Sequence, residues 1–202
     1  MDSSSFVLRR LHSLAGVIPV GVFLIEHLYL NSYALKGAVA YDKIVGTMES
    51  LPYLLPIELL LIILPLGFHG IYGLWITWTS SANLATYSYY RNWMYSLQRV
   101  AGVGTFIFIC YHFYTLRLQA ALFGTEVSFQ RIAEQLHNPA VFFLYLVGTV
   151  AAIYHFANGL FTFCITWGVT VGPKSQRIAG IVSSVAFLAI VALGINALIA
   201  FR

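Results

Sequence analysis

The chain has 202 residues, of which 59% are hydrophobic and only 9% are charged, and its mean hydropathy is +0.80. Soluble domains carry about 25% charged residues, so this composition excludes a water-soluble globular protein and indicates an integral membrane protein. The formal net charge of +4 is small. Its Lys and Arg residues lie at the edges of apolar runs, where basic residues set membrane topology, and so the charge does not indicate nucleic-acid binding.

Five apolar runs approach the length of about 20 residues that a helix needs to cross a bilayer. They lie near residues 11–31, 54–78, 98–120, 139–168 and 178–201. Pro19 and Pro65 lie inside the first two runs and predict kinks there. The fourth run has a strong helix start, because Asn138 is a good N-cap and Pro139 suits the first helical position. We therefore predict an all-α integral membrane protein, with residues 1–202 forming a single membrane domain of five transmembrane helices.

The breaks between the runs hold most of the charges and turn-forming residues. The first and third breaks, near residues 36–50 and 124–135, are long enough to contain short interfacial helices. Basic residues are in excess on the side that holds the N-terminus and the second and fourth breaks, which predicts a cytoplasmic N-terminus and an external C-terminus. We call the cytoplasmic end inner and the opposite end outer. The first run lacks a small-residue cleavage site, so we expect no cleavable signal peptide.

The two cysteines, Cys110 and Cys164, lie in separate apolar runs. They form no C-x-x-C or C-x-x-C-H pattern, which argues against covalent c-type haem and against a zinc knuckle. The simplest interpretation is that both are buried, small apolar thiols.

Four of the six histidines occur one per run in the first four apolar runs. They are His27, His69, His112 and His155, at spacings of 42, 43 and 43 residues. Ionisable residues inside a membrane are costly and usually face the bundle interior for a functional reason. A single such histidine is often only hydrogen-bonded to a neighbouring helix, but one in each of four successive helices favours a shared function.

The depth of each histidine predicts that they form two pairs. At the rise of an α-helix, His27 lies about 6 Å and His112 about 6–9 Å from the outer ends of their helices. His69 and His155 lie about 18 Å and about 24 Å from the outer ends of theirs. The first two therefore share an outer level, and the other two share an inner level.

An internal repeat predicts the same pairing. GFHGIYGLW at residues 67–75 and IYHFANGLF at residues 153–161 both contain His-x-x-x-Gly-Leu-aromatic. LHSLAGV at residues 11–17 resembles LQRVAGV at residues 97–103, since both begin with Leu and end with Ala-Gly-Val. Each level then takes one histidine from each copy of a helix pair, as in a bundle with pseudo-twofold symmetry.

Two imidazoles that face each other across a helical bundle are typical axial ligands of a six-coordinate b-type haem. The pattern predicts two stacked b haems within the first four helices, with His27 and His112 as ligands of the outer haem and His69 and His155 as ligands of the inner haem. Zinc fits less well, because it prefers four close nitrogen or sulfur ligands. Iron with two histidine ligands has no open position, so these haems would carry electrons, and a membrane quinone is the expected substrate.

Four nearby glycines would leave room for a flat macrocycle, although small residues also serve ordinary helix packing in lipid. They are Gly16, Gly73, Gly102 and Gly159. Glu26 and Glu58 could exchange protons with a quinone at the outer level, or be solvated interfacial carboxylates. Polar residues at the inner edge could bind the propionates of the inner haem, fix topology or contact a partner subunit. They are Arg9, Arg10, His12, Ser13, Arg99, Lys174 and Arg177.

Three stretches resemble a known family. They are RRLHSLAGVIPVGVFLIEH at residues 9–27, YSYYRNWMYSLQRVAGV at residues 87–103 and HFANGLFTFCITWGVTVGPKSQR at residues 155–177. They resemble the dihaem cytochrome b membrane-anchor subunit of succinate:quinone oxidoreductases, of the five-helix type found in Bacillus-like succinate dehydrogenases and dihaem fumarate reductases.

The resemblance implies a place in the bacterial cytoplasmic membrane and two partners on its cytoplasmic face, a flavoprotein with covalent FAD and an iron–sulfur subunit. Electrons from succinate would pass through iron–sulfur clusters, the inner haem and the outer haem to menaquinone, and fumarate reduction would reverse this route. Some dihaem fumarate reductases have a glutamate two residues before the last ligand histidine that serves proton movement. Ile153 stands at that position here, which puts a proton pathway of that kind in doubt.

Two other interpretations remain open from the residues themselves. A dihaem cytochrome b of a formate dehydrogenase or hydrogenase would show the same histidines and differ in its partner. A haem-free transporter or scaffold would leave the matched depths of the histidines unexplained.

Overall fold

The computed structural model describes the backbone of residues 3–202 and the side chains of residues 5–202. In chain order the α-helices are α1 (Ser3–Val17), α2 (Pro19–Asn31), α3 (Ala38–Glu49), α4 (Leu54–Glu58), α5 (Leu64–Trp78), α6 (Tyr90–Phe113), α7 (Gln119–Phe123), α8 (Phe129–His137), α9 (Pro139–Thr166) and α10 (Pro173–Ala200). A 3-10 turn (Ser32–Lys36) follows α2, and π-helical turns join α4 to α5 (Leu59–Ile63) and α6 to α7 (Tyr114–Leu118).

Among the residues that the structure describes, five helical stretches are long and apolar enough to cross a membrane. They are Ser5–Lys36, Leu54–Trp78, Tyr90–Phe123, Pro139–Thr166 and Pro173–Ala200. This confirms the predicted all-α membrane protein with five transmembrane helices. The first, third and fifth helices begin earlier than expected, at Ser3, Tyr90 and Pro173. Basic residues that were placed outside the apolar runs lie within these helices instead.

Proline positions account for the irregular points of the first two spans. Pro19 has no N–H to donate, and the first span is interrupted at Ile18, between α1 and α2. In the second span the π-helical turn lies just ahead of Pro65. A single wide turn of this kind is a recognised way to accommodate a missing backbone hydrogen bond.

The two predicted interfacial helices are present as α3 and α8, and both lie at the outer end. The backbone N–H of Phe129, the first residue of α8, donates to Oδ1 of Asp42 in α3 at 2.7 Å. Asn138 caps α9 as predicted, since its side chain accepts from the backbone N–H of Ala140 at 2.9 Å. His137 ends α8, and Asn138 serves both as the C-cap of α8 and as the N-cap of α9.

The helices pack around α9, which contacts α1, α6, α8 and α10. Helix α5 contacts α1 and α6, so that α1, α5, α6 and α9 surround the inner half of the bundle. Helix α10 lies outside this group and packs on α9 and α2. The first four spans therefore form the bundle, and the fifth is peripheral to it.

The buried apolar core lies at the outer end, beneath α3 and α8. Its members are Ala34, Tyr41, Phe108, Leu116, Ile132, Leu136, Tyr145, Leu198 and Phe201. Large apolar side chains elsewhere face outward, among them Leu60 and Val185, as a lipid-facing surface requires. The expectation of two buried cysteines was wrong, because Cys110 is exposed on this surface and Cys164 is only partly buried. The outer end is thus closed by packed side chains.

Candidate functional site

His69 on α5 and His155 on α9 face each other across the inner half of the bundle. Their ring centroids are 5.9 Å apart and their planes meet at 80°. A metal bound to one nitrogen of each ring at about 2 Å would hold the centroids about 6 Å apart. The spacing of the inner pair therefore fits an iron atom between the two rings.

The backbone fixes the proton of both inner imidazoles. Nδ1 of His69 lies 2.9 Å from the carbonyl oxygen of His12, and Nδ1 of His155 lies 3.0 Å from that of Gln98. A carbonyl oxygen only accepts, so Nδ1 carries the proton in each ring and Nε2 keeps its lone pair. This hydrogen bond orients a metal-binding histidine and raises its basicity.

The two halves of the inner site repeat each other in space. Both hydrogen bonds from Nδ1 join residues 57 positions apart. A cavity of about 310 Å³ opens between the halves and is lined by both inner histidine rings. Its walls also include the four glycines of the repeat, so the cavity has room beside the rings for a flat group.

Gly16 and Gly102 make room for the inner histidine rings themselves. A Cβ atom at Gly16 would lie 2.2 Å from Cε1 of His69, and one at Gly102 would lie 2.8 Å from Cε1 of His155. Neither distance is tolerable without moving a ring. These two glycines therefore give room to the imidazoles as well as lining the cavity.

Gly73 and Gly159 lie one helical turn beyond the inner histidines. A Cβ at Gly73 would lie 3.0 Å from Nε2 of His12, and a Cβ at Gly159 would lie 3.4 Å from Nε2 of Gln98. These glycines thus leave space for the side chains behind the histidines, as well as lining the cavity.

The seven polar residues predicted at the inner edge divide into two groups. Those that line the cavity are Arg9, His12, Ser13 and Arg99. Arg10, Lys174 and Arg177 lie outside its lining. Arg10 instead donates to the carbonyl oxygen of Thr166.

His27 on α2 and His112 on α6 form the outer pair, with ring centroids 5.6 Å apart and planes at 79°. Side chains rather than backbone carbonyls contact these rings. Nδ1 of His112 lies 3.3 Å from the hydroxyl of Tyr145. Nε2 of His27 lies 3.3 Å from Nδ2 of Asn31, which also donates to the carbonyl oxygen of His27. The outer pair has the ring geometry of the inner pair without its repeated backbone contacts.

The two outer carboxylates have different environments. Glu26 is exposed on the lipid-facing side of α2. Glu58 precedes the π-helical turn of the second span and forms an ion pair with Arg117, which lies in the π-helical turn of the third span. Nε of Arg117 lies 3.0 Å and 3.1 Å from the two oxygens of Glu58. The pair joins the two spans where both depart from regular α-helix.

Sequence reasoning missed several residues around the histidines, namely Gln98, Asn158, Tyr72, Tyr145 and Arg117. The repeat held a signal for three of them. His12, His69, Tyr72 and Gly73 each have a counterpart 86 positions later, and two of these counterparts are Gln98 and Asn158. Extending the repeat alignment beyond the histidines and glycines would have singled out both positions.

Fold and site together define a multi-pass helical membrane protein whose bundle holds two pairs of facing histidines. Each pair takes one histidine from each copy of the repeat. A family model described as "Succinate dehydrogenase/Fumarate reductase transmembrane subunit" matches residues 79–195. The succinate dehydrogenase cytochrome b558 subunit of Bacillus subtilis (strain 168) is 46% identical over 196 residues, which cover 97% of this chain and 96% of that protein. The chain belongs to the succinate dehydrogenase/fumarate reductase transmembrane subunit family, and the resemblance drawn from the sequence is confirmed.

Proposed function

We propose that the protein is the cytochrome b subunit that anchors a succinate dehydrogenase or fumarate reductase in the bacterial cytoplasmic membrane. It would bind two b haems and connect an iron–sulfur subunit with menaquinone. The observation that carries this proposal is the inner pair, in which two imidazoles at haem-ligand spacing have both Nδ1 protons directed to backbone carbonyls. Each haem, when bound, takes up and releases one electron at its iron.

The chain's own residues would hold the two haems at two depths. His69 and His155 present Nε2 to the inner iron, and the carbonyls behind them keep each ring in the required tautomer. His27 and His112 hold the outer iron, with the Tyr145 hydroxyl next to His112. Because two histidines would hold each iron, the haems would supply electron transfer rather than oxygen binding.

The inner edge supplies cations for the propionates of the inner haem. Arg9 and Arg99 line the cavity together with His12 and Ser13, and guanidinium groups bind carboxylates in charge-assisted hydrogen bonds. Arg10, Lys174 and Arg177 lie away from the cavity, so we assign them to topology or to contacts with the iron–sulfur subunit. A cytoplasmic N-terminus places this edge on the side where that subunit and the flavoprotein would dock.

The outer level is the proposed place of quinone chemistry. Glu58 is the stronger of the two carboxylate candidates, because it lies between the second and third spans rather than on the lipid-facing side. Arg117 forms an ion pair with this carboxylate, and a carboxylate is a group that can accept a proton from a quinol. Glu26 remains a candidate for exchange at the lipid boundary.

The test is to purify the protein with its partners from membranes in mild detergent and to record a redox difference spectrum with a haem count per polypeptide. We expect two b haems, together with flavoprotein and iron–sulfur subunits that reduce a quinone with succinate. A preparation without b-haem bands in the difference spectrum would refute haem binding. Two haems with the partners of a formate dehydrogenase or hydrogenase would refute the assigned complex.

A further inference from the structure

The inner site is symmetric at its histidines and glycines and asymmetric directly behind them. Where the first copy of the repeat has His12 and Tyr72, the second copy has Gln98 and Asn158 at the equivalent positions. Two aromatic side chains therefore correspond to two amides. The two imidazoles that would bind the same iron therefore have different neighbouring side chains.

Gln98 holds His155 at two points. The backbone carbonyl oxygen of Gln98 accepts from Nδ1 of His155 at 3.0 Å. The side-chain Nε2 of Gln98 donates to the backbone carbonyl oxygen of His155 at 2.9 Å. Asn158 adds a third bond, because its Nδ2 donates to Oε1 of Gln98 at 2.8 Å. Asn158 therefore orients the side-chain amide of Gln98, and that amide holds the backbone of His155 next to the carbonyl that accepts from its ring. We call Gln98 and Asn158 the amide clamp.

His69 has no comparable bonds from the side chains behind it among the described residues. The imidazole of His12 stacks on it with centroids 4.1 Å apart and planes 5° apart, and the Tyr72 ring lies 5.8 Å from that of His12. Nε2 of His12 and the Tyr72 hydroxyl are buried without a hydrogen-bond partner in the described structure. Both rings have a backbone carbonyl at Nδ1, but stacking restrains the plane of the His69 ring, whereas two side-chain amides hold the backbone that carries His155.

We propose that the amide clamp positions His155 as an axial ligand of the inner haem and strengthens its donation to the iron. This inference rests on the proposed haem function. A stronger bond from Nδ1 to a carbonyl makes the imidazole more basic, which stabilises ferric iron over ferrous iron and lowers the reduction potential. Gln98 and Asn158 are positioning residues, since they act on the iron only through His155.

The experiment replaces Asn158 with leucine, Asn158→Leu, in the intact complex and measures haem content, midpoint potentials and the EPR spectrum of the ferric haems. Leucine is close to asparagine in size and removes both the donor and the acceptor. The matched control is Asn196→Leu, because Asn196 donates only within its own helix, to the carbonyl oxygen of Ala192 at 2.8 Å.

We expect Asn158→Leu to raise the midpoint potential of the inner haem and to shift its EPR signal, which depends on the orientation of the two imidazole planes. The outer haem and the Asn196→Leu control should be unchanged. Two haems with unaltered potentials and EPR signals would overturn the proposal, as would equal changes in both haems. A wild-type complex without haem would refute the proposed function instead, so the two failures are distinct.

A second variant decides the case in which Asn158→Leu loses the inner haem altogether. The double substitution Gln98→His with Asn158→Tyr gives His155 the aromatic pair that His69 already has. Return of the inner haem, with its midpoint potential shifted from that of the wild type, would support the proposal. It would show that either the amide clamp or an aromatic pair can position His155. Continued absence of the inner haem would overturn the proposal.

Discussion

The inner and outer histidine pairs have nearly the same ring geometry in very different surroundings. The inner pair lies beside an open cavity, and backbone carbonyls hold both rings at matching positions of the repeat. The outer pair lies next to the packed apolar core, and its contacts come from the single side chains of Tyr145 and Asn31. Two histidine rings can thus be held in nearly the same relative orientation either by a repeated backbone arrangement or by individual side chains.

The difference follows from how far the repeat extends along each helix. At the inner level the two copies align at a constant offset of 86 residues, so that the histidines and glycines match even where the residues behind them differ. Towards the outer level they differ by one position, because His27 lies 11 residues after Gly16 and His112 lies 10 residues after Gly102. The interruption at Ile18 falls inside the longer interval. The histidine positions at the inner level therefore follow the repeat, whereas those at the outer level depend on the local irregularity of the first span.

The largest effect should come from the histidines, because each provides half of a ligand set. We expect His155→Ala to abolish the inner haem and keep the outer one, and His112→Ala to do the reverse. Haem per polypeptide and the redox difference spectrum measure both losses, with His137→Ala as the control that keeps two haems. Retention of both haems in either ligand variant would contradict the assignment and remove the basis of the comparison.

A smaller but selective loss is expected from alanine at the glycines that face the inner rings. Gly16→Ala puts a Cβ 2.2 Å from His69, and Gly102→Ala puts one 2.8 Å from His155. Inner-haem content should therefore fall in both variants, and further in the first. Gly104→Ala is the control, since a Cβ there meets nothing within 4 Å. If all three variants kept the inner haem equally, these glycines would have no part in placing the rings.

At the outer level, the ion pair between Glu58 and Arg117 should contribute more to stability than to haem binding. Its side chains are 18% and 39% exposed, so Arg117→Gln should cost about 1–3 kcal/mol, between the values for exposed and buried pairs. Thermal unfolding of the purified complex measures this cost. The double variant with Glu58→Gln should recover part of it, because no unpaired carboxylate remains. A double variant less stable than Arg117→Gln would show that the pair does not act as one unit.

The smallest predicted effect is that of Tyr145→Phe, which keeps the ring in the outer core and removes its hydroxyl from Nδ1 of His112. The loss of one hydrogen bond of this kind is worth about 1 kcal/mol. We expect a modest shift in the potential of the outer haem and none in that of the inner haem, read by redox titration. A shift confined to the inner haem would mean that the two sites are not independent.

Much of the architecture could be predicted because it depends on local signals. Hydropathy located the five spans, and Asn138 with Pro139 marked the start of α9. The early starts of α6 and α10 were missed, since charged residues at a membrane edge are equally compatible with a loop and with a first helical turn. The π-helical turn at 114–118 was missed as well, because no proline accompanies it.

By itself the sequence determined the membrane class, the number of spans and which histidines share a level, since apolar run length and helical rise are properties of one segment at a time. Only the tertiary structure decided what lies behind each histidine. The contacts of His69 with Gly16 and of His155 with Gln98 and Asn158 depend on how neighbouring helices are rotated about their axes. That rotation is set by side-chain packing between helices, which the hydropathy of a single helix does not encode.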